Sequence, residues 1–83
     1  MNEAELNRLR WRSRRGMLEL DLLLLPFFEQ AFESLSADQQ NTFIELLEQD
    51  DPDLLAWFSR KARPQADNLA AMVDLILDRV QPG

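Results

Sequence analysis

Between Leu20 and Phe28 every residue but Asp21 and Pro26 is large and apolar, and no other stretch limits the fold so strongly. A helix that is apolar nearly all round belongs in the middle of a bundle. No segment alternates apolar and polar residues with period two, so no strand is expected. The 83 residues therefore read as one domain, 1–83, of all-α class, a small single-domain bundle of about five helices with short connections.

The helix boundaries follow from local signals. Asn2 reads as a cap with Glu5 at the third helical position, as in a capping box. That helix should run to about Arg14 and stop near Gly16, with Leu6, Leu9 and Ser13 inward. Arg8, Trp11 and Arg15 share another face by their spacing. A second helix should begin at Met17 and reach about Phe32. Pro26 lacks an amide donor and clashes with the preceding turn, so the helix is either kinked there or split in two. Glu33 to Leu35 form a connection. Ser36 and Gln39 make a second capping box, ahead of a helix that carries Phe43, Ile44, Leu46 and Leu47 inward and ends near Gln49.

Asp51 is then expected to cap a fourth helix, with Pro52 at its first position. Leu54, Leu55, Trp57 and Phe58 form its apolar side. Arg60, Lys61 and Arg63 suit the negative end of its dipole. Pro64 opens or just precedes the last helix. Leu69, Met72, Val73, Ile76 and Val80 recur there as one buried stripe, and Pro82-Gly83 should fray. Leu24, Phe28, Phe43, Leu47, Trp57, Val73 and Ile76 are expected to be largely buried.

Composition narrows the chemistry. Without cysteine there is no disulfide or thiolate metal site. Without histidine the commonest acid–base residue is missing. Carboxylate pairs such as Glu45 with Glu48 follow from acidity alone, and Asp50-Asp51 reads as a helix cap, so an enzyme is not expected. Asp50-Asp51-Pro52-Asp53 lacks the spaced ligands and glycine of a calcium loop. A net charge of −6 argues against general nucleic-acid binding. The arginines at 8, 10, 12, 14 and 15 are a solvated face or a contact for an acidic partner. No apolar run approaches the roughly 20 residues of a membrane-spanning helix. The N-terminus lacks the apolar stretch of a secretory signal, so the cytoplasm or an equivalent reducing compartment is expected, and the helical bundle is expected to be a monomer.

The polar half of the central stretch holds the sharpest signal. Gly16 can turn the chain or admit another backbone closely. Arg15 and Glu19 flank it, either as an intrahelical ion pair at a helix boundary or as partner contacts. Trp11, with arginines around it, is either an interface anchor or a ring laid against a neighbouring helix under arginine stems.

Arg15-Gly16-Met17-Leu18-Glu19 matches the RGxxE motif of the SdhE family, flavinylation or assembly factors of succinate dehydrogenase. Trp11, Arg14, Asp21, Pro26-Phe27-Phe28 and the string Asp50-Asp51-Pro52-Asp53-Leu54 with Trp57 extend the resemblance to nearly the whole chain, most closely to the bacterial YgfY-like members. The resemblance implies a five-helix protein that is not itself an enzyme. It would bind the flavoprotein subunit of succinate dehydrogenase, and in some bacteria that of fumarate reductase, and promote covalent attachment of FAD. Arg15, Gly16 and Glu19 carry over as client contacts; helix phase and adjacency add Arg8, Trp11 and Met17. FAD would belong to the client, since this acidic chain has no glycine-rich phosphate loop and should hold no free FAD tightly. The alternative is an antitoxin-type regulator that neutralises a partner toxin, a role also described for proteins of this kind.

Overall fold

The computed structural model describes residues 1–80, and the expectations for the Val80 side chain and for Pro82-Gly83 lie outside the described residues. Five α-helices follow one another: α1 (Glu3–Ser13), α2 (Leu18–Ala31), α3 (Ala37–Leu47), α4 (Asp51–Phe58) and α5 (Asp67–Val80). A single 3₁₀ turn, Phe32–Ser34, extends α2. There is no strand among the described residues, so the all-α expectation holds.

The caps explain where the helices begin. Asn2 accepts a hydrogen bond from the Glu5 amide at 2.8 Å. Ser36 and Gln39 form both halves of a capping box, at 3.1 and 3.0 Å. At α4 the cap is Asp50 and not Asp51. Asp51 lies one residue inside the helix, where its carboxylate takes a charged partner instead of a backbone amide. Pro26 sits within a continuous α2, so the helix is not split there. Arg60 ends α4 in the left-handed region (φ 63°), and the amides of Arg60 and Lys61 turn back to Trp57 and Ala56 carbonyls.

The core is aromatic at its centre. Phe43 of α3 meets Phe27 and Phe28 of α2 and Phe32 of the 3₁₀ turn, with ring centroids 5.6–6.2 Å apart. Such offset and edge-on pairs add ~0.5–1.5 kcal/mol each beyond area burial. Leu20, Leu24, Leu46, Leu54 and Ile76 close around them, all inaccessible to solvent. α5 packs across α2 and α3, and α4 fills the angle between α2 and α5. Ser13 is buried as expected, and its hydroxyl donates to the Leu9 carbonyl at 2.8 Å.

Two expectations about burial change. Trp57 is only half-buried at the core's edge, because eight-residue α4 turns Leu54 and Phe58, at i and i+4, fully inward. More consequentially, α2 is not enclosed. Leu20, Leu24, Phe27, Phe28 and Ala31 point inward, while Leu18 and Leu22 are 68% and 60% exposed. So few short helices cannot surround one of their own number, and one side of α2 is left open.

Candidate partner-binding site

Arg14 to Met17 form the loop between α1 and α2. Gly16 lies there with φ +79°, exposed, and nothing stands within 4 Å of where a Cβ would be. Glycine adopts that left-handed backbone without cost; other L-residues do not. The loop therefore needs glycine for its backbone, and the space above it is open.

Arg15 turns away from that space. Its amide donates to Asp21 Oδ1 at 2.7 Å. Its guanidinium crosses to the α3–α4 turn, where Nε donates to Asp51 Oδ1 at 2.7 Å. Nη1 donates to the carbonyls of Leu47 (2.8 Å) and Arg12 (3.2 Å), and Nη2 to that of Gln49 (2.9 Å). The last carbonyls of a helix have no intrahelical donor, and a cation suits that end of the dipole. Arg15 thus finishes α3 while its side chain is only 16% exposed. Of the two readings of Arg15 and Glu19, the intrahelical ion pair does not form: α1 ends at Ser13, α2 starts at Leu18, and Asp51 takes the guanidinium. Nor does Arg15 continue the face of Arg8 and Trp11, for the same reason.

The other expected residues divide. Glu19 is exposed in the first turn of α2, where negative charge is favoured. Met17 is half-buried against the core beside Gly16. Trp11 stands 72% exposed. It edges a notch of about 340 Å³ whose other walls are Arg10, Arg14, Leu25 and Glu29. Arg10 lies over the Phe28 ring, 5.7 Å from its centroid, and pairs with Glu29 at 3.4 Å. Arg8 is exposed but borders a different hollow, with Arg12 and Ile44 on the α3 side.

Leu18 and Leu22, with half-buried Leu25 beyond them, were not expected at the surface. At i, i+4 and i+7 they form one stripe along α2, running from the glycine loop to the notch below Trp11. The available signal was an excess: α2 has more leucines than a single inward stripe can use. Asp51 and Asp21 were also missed as loop supports. Among the described residues no cluster of three or more histidines, cysteines or carboxylates could hold a metal. No helix there is long and apolar enough to cross a membrane. Away from the site, hydrogen bonds from Arg63 and Arg60 hold the Asp74 carboxyl well below its usual range.

Fold and site together define a small all-α protein that offers an apolar, arginine-edged surface beside a glycine loop. The chain belongs to the family described as flavinator of succinate dehydrogenase, whose model matches residues 7–80. It is 51% identical over 81 residues to the FAD assembly factor SdhE of Pseudomonas aeruginosa, covering 98% of this chain and 96% of that one. The Vibrio cholerae protein of the same name is 53% identical over 70 residues, 84% of this chain and 81% of that one. A third, from Pseudomonas putida, is 44% identical over 82 residues, 99% and 98% of the two chains.

Proposed function

We propose that this chain binds the flavoprotein subunit of succinate dehydrogenase, and that of fumarate reductase where a cell makes one, and so promotes covalent attachment of FAD. The observation that carries this is the open side of α2: exposed Leu18 and Leu22 run from the Gly16 loop toward half-buried Leu25, which lines the notch beside exposed Trp11. A contiguous apolar surface with a tryptophan and arginines is the composition of an interface centre.

On this reading the helper makes and breaks no bond. The flavin and the histidine that become joined belong to the client, and the helper favours the client conformation in which they meet. Positioning of reacting groups can supply several kcal/mol of a barrier, up to ~7–11 in the best intramolecular cases. FAD stays with the client. One copy, acting as a monomer in the cytoplasm, would serve one client.

The test is complementation. Cells lacking their own assembly factor receive this chain, and covalent flavin on the flavoprotein subunit is read after denaturing electrophoresis. Restored flavin, with the subunit recovered on the tagged chain, is the expected result. A folded chain that neither captures the subunit nor restores its flavin overturns the reading.

A further inference from the structure

We propose that Asp51 is a positioning residue for the Gly16 loop: by holding Arg15 it keeps the loop in one shape before any partner arrives. This rests on the reading that the loop meets the flavoprotein subunit.

A four-residue connection built around glycine should be among the loosest parts of a small helical protein. Here it is fastened on both sides of the glycine. Downstream, the Met17 carbonyl accepts from the amides of Leu20 (3.1 Å) and Asp21 (2.9 Å), and the Met17 side chain rests on the core. Upstream, Arg15 is held through its amide by Asp21 and through its guanidinium by Asp51 and three carbonyls. Gly16 stays exposed between these fastenings, at φ +79°.

The acceptors of the guanidinium are not equivalent. Those of Arg12, Leu47 and Gln49 are main-chain carbonyls, which almost any sequence supplies. Among the described residues Asp51 provides the sole side-chain acceptor and the sole countercharge. A largely buried guanidinium without a countercharge would turn out to water. Charge-assisted bonds are about twice as strong as neutral ones, so the carboxylate decides whether Arg15 remains across the α3–α4 turn. Asp51 is itself well placed, in the first turn of α4. A partner that reaches Gly16 then meets a backbone already ordered, and association loses less conformational entropy.

The experiment compares the full chain with Asp51→Ala and Asp51→Asn. Asparagine keeps an oxygen for the Arg15 Nε–H but no charge. Three quantities are read: the melting curve, the backbone order parameters of Arg15, Gly16 and Met17 by NMR relaxation, and the Kd for purified flavoprotein subunit. In the alanine variant the loop order parameters should fall from about 0.85 toward 0.6 while melting stays cooperative. Kd should rise about tenfold, the effect of freeing a few ordered groups. The asparagine variant should lie between, and it carries the test if the alanine variant does not fold. A merely stabilising aspartate would lower the melting temperature and leave loop order and the Kd of folded molecules unchanged. An unchanged loop in a folded variant, or a loosened loop with unchanged Kd, overturns the inference. If the unaltered chain binds no subunit, the proposed function fails, while the order parameters still report whether Asp51 holds the loop.

Discussion

The Arg15 guanidinium and the Asp51 carboxylate, 36 positions apart in the chain, meet at 2.7 Å and close the α1–α2 loop onto the α3–α4 turn. Two connections that would otherwise move separately become one unit. The motif residue with the most conspicuous charge is thereby spent inside the protein, while Gly16, Glu19, Leu18 and Leu22 stay exposed.

Gly16 is the first place to test that division. At φ +79° with open space above, alanine should fit sterically yet cost about 1–2 kcal/mol of backbone strain. Asparagine, which tolerates the left-handed region, should cost less. Thermal unfolding of Gly16→Ala and Gly16→Asn checks this order. Gly16→Arg adds bulk to the same strain, so covalent flavin on the client should drop further for arginine than for alanine. Equal losses would mean that the backbone shape matters and close approach does not.

The α2 stripe separates binding from stability. Leu18→Ser with Leu22→Ser should leave unfolding within about 0.5 kcal/mol per site, as for surface changes in general. Covering a leucine fully is worth ~1.5–3 kcal/mol, so the double variant should bind the flavoprotein subunit at least tenfold more weakly. Trp11→Ala should cost about 2 kcal/mol or more of binding if the ring is an anchor. Titration calorimetry on folded variants decides, and full affinity would move the interface elsewhere.

Phe43→Ala addresses the core. The ring is wholly buried against three others, and a phenylalanine truncated in such a place costs ~3–5 kcal/mol. A domain this small has little more than that to lose. The expected result is a melting temperature lowered by tens of degrees or the loss of a cooperative transition by circular dichroism.

Acid should act through Asp74. Its carboxyl is held below the ordinary 3.8 by hydrogen bonds from Arg63 and Arg60. The unfolded chain therefore binds the proton first, and the pair's contribution is complete above about pH 4 and lost as pH falls below it. Asp74→Asn should lower the melting temperature modestly above about pH 4, converge with the unaltered chain in acid, and so flatten the acid side of the profile. A parallel shift at every pH would show that the pair is irrelevant to acid sensitivity.

How far these features could be read beforehand depends on their range. The Asn2 cap, the capping box at Ser36 and the α5 stripe are local, and the residue spacing found them, although at Asn2 only the cap's own half of the box forms. Gly16 was legible as a turn for the same reason. Asp50 and Asp51 are interchangeable as caps in a string of letters; only the arrival of Arg15 from the other end of the chain tells them apart. The open side of α2 was hidden differently. A helix apolar nearly all round has no phase, so nothing in its spacing says which leucines lack a neighbour. The surplus became visible once the other helices had taken their places.

One consequence concerns how the molecule travels. Residues 1–15 contain five of its nine cations and two of its fifteen carboxylates, and all but one of the arginines on α1 are exposed. The remainder of the chain is strongly acidic. Such a particle has a large electric dipole, and in the field of a charged surface it rotates before contact. An acidic surface would draw the exposed arginines of α1 and Trp11 forward. Orientation of this kind acts over about a Debye length, ~10 Å at 0.1 M salt, so ionic strength should govern how fast such a complex forms far more than how long it lasts.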